Sequence, residues 1–197
     1  MKITKPIRLI FLDIDGVLNS VKTFTVTGYY PHANNVANSE GKYISHPESV
    51  DNFSVGLINK LCKSTDSFVV ISSSWRVGYT FSQIKQIMIE MGIDEDVILG
   101  MTDDNGYNRG MEIQRFIKYI SSDIPSLLGL ITPGTLTLPV KVDSYCVVDD
   151  YLTNNGIKQL HSRNFVEINQ LDGLGLKDII RMGRIITKDS QFDECSL

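Results

Sequence analysis

Ile7-Arg8-Leu9-Ile10-Phe11-Leu12-Asp13-Ile14-Asp15-Gly16-Val17-Leu18 is the stretch on which the fold turns. Its first six residues are apolar apart from Arg8 and show no alternation. Such a run predicts a strand covered on both faces, as in a parallel sheet. It then breaks into two aspartates one residue apart, followed by a glycine. Phe68-Val69-Val70-Ile71 and Tyr145-Cys146-Val147-Val148 read as strands of the same kind. Val97-Ile98-Leu99 and Phe165-Val166-Glu167-Ile168 are shorter candidates.

Helical patterns lie between these strands. Ser54 is placed to cap a helix carrying Ile58, Leu61 and Cys62 on one face. Ile84, Ile87, Met88 and Met91 recur at i, i+3, i+4, i+7, and Gly92 offers a stop. Ile113, Phe116, Ile117 and Ile120 repeat the spacing ahead of Pro125, and a last helix is expected through Lys177 to Met182. Alternating strand and helix predict an α/β fold with a mainly parallel sheet. At 197 residues the chain reads as a single domain, residues 1–197, with a small insertion at about residues 20–52. The stretch Gly129 to Asp143 is read as a loop or small hairpin.

Composition narrows the function. The 42% apolar and 21% charged content is that of an ordinary globular protein, and the net charge of -4 gives no global attraction to nucleic acid or anionic membrane. Cys62, Cys146 and Cys195 have no metal-ligand or disulfide spacing, and the first two sit in apolar runs as expected core residues. Neither a signal peptide nor a membrane span is read in the sequence, so a cytoplasmic location is the expectation.

The chemistry sits where strands end. The first strand ends in Asp13-Ile14-Asp15-Gly16, the second in Ser72-Ser73-Ser74, and the Tyr145 strand in Asp149-Asp150. Ligands of open α/β sheets bind at the carboxyl ends of the strands, so these groups are expected to converge. Carboxylates so gathered repel: two unit charges 4 Å apart interact by about 4 kcal/mol at an effective dielectric near 20. A divalent cation relieves that repulsion, and an all-oxygen ligand set favours magnesium. A calcium EF-hand loop starting at Asp13 is excluded, because its sixth and twelfth positions hold Leu18 and Phe24.

Asp-Ile-Asp-Gly-Val-Leu after an apolar strand resembles the first motif of the haloacid dehalogenase (HAD) superfamily. Ser72-Ser73-Ser74-Trp75-Arg76 resembles its second motif, Asn108-Arg109-Gly110-Met111-Glu112-Ile113 stands in the place of its third, and Val147-Val148-Asp149-Asp150 resembles its acidic fourth. The group most resembled is the small-capped, polynucleotide-phosphatase-like proteins of nucleic-acid repair. The resemblance implies a Rossmann-like three-layer sandwich with a small cap after the first strand. It implies a magnesium-dependent phosphomonoesterase in which Asp13 is the nucleophile and Asp15 the general acid and base. Ser73, with Ser72 as the alternative, and Arg109 would hold phosphate oxygens. Gly16 would permit close backbone approach, and Arg76 would either touch phosphate or serve as a structural ion-pair partner. Asp13, the Asp15 carbonyl, Asp149 and Asp150 would bind Mg2+. The implied partner is a nucleotide or nucleic-acid end, with no membrane and no obligate protein partner. Alternatives are a sugar-phosphate or other small-metabolite phosphatase and a non-catalytic module holding magnesium and a phosphorylated ligand.

Other features read plainly. Asp103-Asp104-Asn105-Gly106 reads as a turn and Trp75 as a core or cleft-wall anchor. Gly173-Leu174-Gly175 lacks the third glycine of a dinucleotide fingerprint. His32, His46 and His161 have no metal spacing and are expected at the surface. Tyr29, Tyr30, His32, Tyr43 and His46 either stack on a base or form the insertion's own small core.

Overall fold

The computed structural model describes residues 5–28, 50–104, 108–122, 129–131, 138–150 and 156–197. Five parallel strands, β1 (Ile7–Leu12), β2 (Ser67–Ile71), β3 (Ile98–Met101), β4 (Val142–Asp149) and β5 (Phe165–Glu167), lie in the order β3-β2-β1-β4-β5. All five expected strands are present, three of them running beyond the apolar runs read from sequence. The described helices are α1 (Val21–Thr27), α2 (Asn52–Thr65), α3 (Phe81–Glu90), α4 (Arg109–Ile120), α5 (Ile157–His161) and α6 (Leu176–Thr187).

Strand alternation divides the core in two. Ile10, Leu12, Val69, Ile71, Cys146 and Val148 pack with α2, α3 and α6. Ile7, Leu9, Phe11, Val70 and Val147 face the other way, onto Ile113, Phe116 and Ile120 of α4 and Ile157 of α5. The result is an α/β/α three-layer sandwich, the Rossmann-like arrangement that the resemblance implies. Phe11 packs edge-on against both Phe116 and Tyr145. Cys62 and Cys146 are buried, as expected of core residues.

Several local expectations are corrected. The cap of α2 is Asp51, which accepts from the Phe53 N–H; Ser54 lies inside the first turn and donates to the Leu174 carbonyl. The last helix runs five residues beyond Met182, since Ile186 completes its buried stripe with Ile179 and Met182. The segment read as an irregular insertion opens with α1, whose Ser20–Thr23 capping box supplies the start signal. Helix α5 was not expected, because five residues carry too little periodicity to read. His161 is buried, not exposed. In the Gly129–Asp143 stretch, Ile131 pairs antiparallel with Gly100 at the edge of β3. Tyr29, Tyr30, His32, Tyr43 and His46 lie outside the described residues.

The strand order reverses between β1 and β4. That switch point opens a crevice at the strands' carboxyl ends.

Candidate active site

Four polar side chains occupy one level of the sheet. Leu12 is in register with Ile71 and Val148, and Ile71 with Met101. One residue further stand Ser72, Asp13, Asp149 and, just past the end of β3, Thr102. The ladder continues through them: Asp13 N–H donates to the Val148 carbonyl, Ser72 N–H to Leu12 and Thr102 N–H to Ile71. Phe11, Val70 and Val147 face α4, so alternation turns Asp13, Ser72 and Asp149 toward that helix as well. All four are buried.

Arg109 is the first residue of α4. Its Nη1 donates to Asp13 Oδ2 and to Asp149 Oδ2, each at 2.5 Å. Asp13, Asp149 and Asp150 each bring an oxygen within 4.8 Å of the other two. Burial pushes the Asp13 carboxyl up to about 7, against the pull of Arg109 and with the Asp149 charge adding to the rise. Asp150 is pushed up to about 6, by burial first and then by Asp149. Burial opposes the charge on Arg109, but Asp13 and Asp149 outweigh it and hold the guanidinium above its ordinary range. Cationic charge is what this cluster lacks, and Arg109 supplies only part of it. Three hard oxygen donors at this spacing fit Mg2+.

Gly16 is required twice. Its φ is +71°, and a Cβ there would lie 2.1 Å from Asp150 Oδ2. Only glycine combines that turn with a carboxylate at such close range. Asp15 lies toward the rim, where Trp75 Nε1 and Asn19 Nδ2 donate to its Oδ1 at 2.8 and 2.9 Å, and Ser74 Oγ to its Oδ2 at 3.3 Å. Trp75 therefore lines the cleft and orients Asp15. Asn19 was not singled out in the sequence; it also accepts from the Gly16 N–H through both its side-chain and main-chain oxygens.

The serines differ in their bonding. Ser73 Oγ accepts from the Trp75 N–H and so caps the short 3-10 turn Ser74–Arg76. Ser72 Oγ, like Thr102 Oγ1, is buried with no hydrogen-bond partner. Arg76 is placed as an ion-pair partner: its Nη2 lies 2.5 Å from Glu112 Oε2, with both side chains buried. Burial pushes Glu112 up and Arg76 down, each opposed by the other's charge. Asp103, read in a turn, pairs with Arg115.

The start of α4 is held from outside as well. Asn108 caps it by accepting from the Met111 N–H. A Cβ on Gly110 would lie 2.5 Å from the Gly156 carbonyl oxygen, so α4 and α5 meet backbone to backbone. His161 Nε2 lies 2.8 Å from the Gly110 carbonyl, and its Nδ1 lies 3.0 Å from the Tyr145 hydroxyl. Burial lowers the His161 pKa against the pull of that carbonyl, so the neutral ring with Nε2–H donating fits the site. Neither Glu112 nor His161 was proposed as a site residue from sequence: Glu112 lies in the Arg109 motif with no role read for it, and no local motif links His161 to Arg109.

No helix among the described residues is long and apolar enough to cross a membrane. No match is found among curated proteins or solved structures. The family model described as "HAD domain in Swiss Army Knife RNA repair proteins" matches residues 9–179, which include every site residue above. With its buried aspartates at the switch point of a parallel sheet, this chain belongs to that family of the HAD superfamily, in the nucleic-acid repair group.

Proposed function

We propose that the protein is a magnesium-dependent phosphomonoesterase acting on a nucleotide or a nucleic-acid terminal phosphate through an aspartyl-phosphate. Phosphatase-type chemistry follows in general terms from the family; the metal, intermediate and substrate are the proposal. The observation that carries it is the gathering of Asp13, Asp149, Asp150 and Arg109 at the ends of β1 and β4. Asp13, Asp149 and Asp150, with the Asp15 carbonyl, would hold Mg2+. When bound, the ion offsets the repulsion between a carboxylate nucleophile and a phosphate dianion.

The protein's own groups divide the steps. An Asp13 carboxylate oxygen attacks phosphorus, and the ester P–O bond breaks. The leaving oxygen takes a proton from the Asp15 carboxyl. Water then attacks the phosphoryl group, Asp15 takes its proton, and the bond from phosphorus to Asp13 breaks to release inorganic phosphate. Ser73 and Arg109 hold the non-bridging oxygens as charge shifts, a task suited to a fixed hydroxyl and a planar cation. Among the described residues Asp15 is half-buried and Ser74 exposed, which supports access of the leaving group to Asp15.

Phosphate release from an aryl phosphate with Mg2+ tests the mechanism. Asp13→Asn is expected to lose at least about a thousandfold in kcat, since removing a nucleophile removes the covalent route. Undiminished turnover in that variant sinks the mechanism. Mononucleotides, 3′- and 5′-phosphorylated oligonucleotides and sugar phosphates are then compared, and a sugar-phosphate preference overturns the substrate class.

A further inference from the structure

Two sequence signatures meet inside the protein. Arg76 of Ser-Ser-Trp-Arg and Glu112 of Arg-Gly-Met-Glu-Ile form an ion pair whose side chains are 5% and 4% exposed. Stability alone does not account for it, because an apolar pair of similar volume often stabilises a core as well or better. What else the guanidinium holds is informative. Nη1 donates to the Ser73 carbonyl at 2.5 Å, Nε to Thr102 at 3.1 Å and Nη2 to Asp103 at 3.2 Å. One side chain thus ties the end of β2, the end of β3 and the first turn of α4. Glu112 lies three residues after Arg109, a neighbouring position on the helix surface. Ser73 and Arg109 come from different elements, and the Arg76–Glu112 pair joins those elements beneath the site.

We propose that Arg76 and Glu112 are a positioning pair that holds Ser73 and Arg109 at the spacing needed to grip one phosphoryl group, without touching it. This rests on the phosphatase reading above. A lysine at 76 would keep the charge but not the planar fork that reaches three carbonyls and a carboxylate together.

The test compares the wild type with Arg76→Lys, Glu112→Gln and the double variant Arg76→Met/Glu112→Leu. Melting curves, kcat and KM for an aryl phosphate, and calorimetric Kd for inorganic phosphate with Mg2+ are measured on each. Arg76→Lys is expected to fold, to lose about a hundredfold in kcat and to bind phosphate more weakly, as displaced phosphate ligands require. Glu112→Gln, which keeps a hydrogen bond to Arg76, is expected to be affected less. The double variant is expected to regain melting temperature without regaining kcat. Unchanged kcat and phosphate affinity in Arg76→Lys, or activity returning with stability in the double variant, makes the pair merely structural and overturns the proposal. A wild type that binds phosphate but hydrolyses no ester defeats the phosphatase reading alone, and the phosphate affinities then decide the positioning role. A wild type that binds no phosphate overturns both.

Discussion

At the scale of the residue, Gly16 shows how local conformation and site chemistry share one position. Its φ of +71° disfavours any side chain, and Asp150 occupies the space where a Cβ would go. Gly16→Ala is therefore expected to destabilise the protein by about 1–3 kcal/mol and to displace Asp150. Thermal melts with and without Mg2+ check this: the variant should melt lower and respond less to the ion. The serines make a second case. Ser73 Oγ accepts from the Trp75 N–H, which leaves its own proton for the proposed donation to phosphate. Ser73→Ala is expected to lower kcat/KM by about ten- to a hundredfold. Ser72→Ala replaces a buried, unpartnered hydroxyl and should leave both stability and turnover nearly unchanged. Kinetics on the two variants decide the assignment, and a reversed pattern moves the phosphate contact to Ser72.

At the scale of the element, α4 is the part on which the site depends most. Its first residue reaches across β1 and β4, so a small shift of the helix moves Arg109 off the carboxylates. Gly110 sets that position through its close approach to the Gly156 carbonyl. Gly110→Ala is expected to cost about 1–3 kcal/mol as an overpacked contact, despite alanine's better helix propensity. Activity should fall more than stability, because the strain pushes α4 away from α5 at the end that carries Arg109. Chemical denaturation paired with steady-state kinetics tests this; a stabilised, fully active variant would refute it. Reading α4 from sequence was straightforward, since Ile113, Phe116, Ile117 and Ile120 mark one face. Its supports were not legible, because Gly156 and His161 approach it only after β4 has been laid beside β1.

At the scale of the whole molecule, the buried carboxylates link folding to pH and to metal. Folding raises Asp13 to about 7 and Asp150 to about 6 from an ordinary carboxylate value of 3.8. Between those limits the folded state binds more protons than the unfolded one. The contribution is therefore present in full below the ordinary value and is lost as pH rises through the folded values. Metal-free protein is expected to lose several kcal/mol of stability between about pH 4 and about pH 8 from these groups. Held as proposed, Mg2+ would bind the ionised carboxylates, so it should raise the melting temperature at pH 8 and much less at pH 5. Melting curves in chelator and in Mg2+ at both pH values measure this. Equal shifts at the two values, or none at pH 8, would count against a metal site at these aspartates.

The strands, most helices and the four acidic, hydroxylic and basic motifs were legible along the chain. Each is a local signal: an apolar run long enough to be buried on both faces, an i, i+3, i+4 stripe, or a polar residue that ends a strand. Hence β1 and its Asp13-Ile14-Asp15-Gly16 end could be read without neighbours. The α2 cap was misread because Asp51 and Ser54 are both good cap residues, and their roles are separated by the Phe53 N–H donating to Asp51 and by Ser54 donating to the Leu174 carbonyl. Tertiary structure alone decided which groups face each other. It set Trp75 on Asp15, Arg76 on Glu112, and His161 on the Gly110 carbonyl. Such pairs join residues distant in the chain, and their partners follow from strand order and helix placement, which no periodicity encodes.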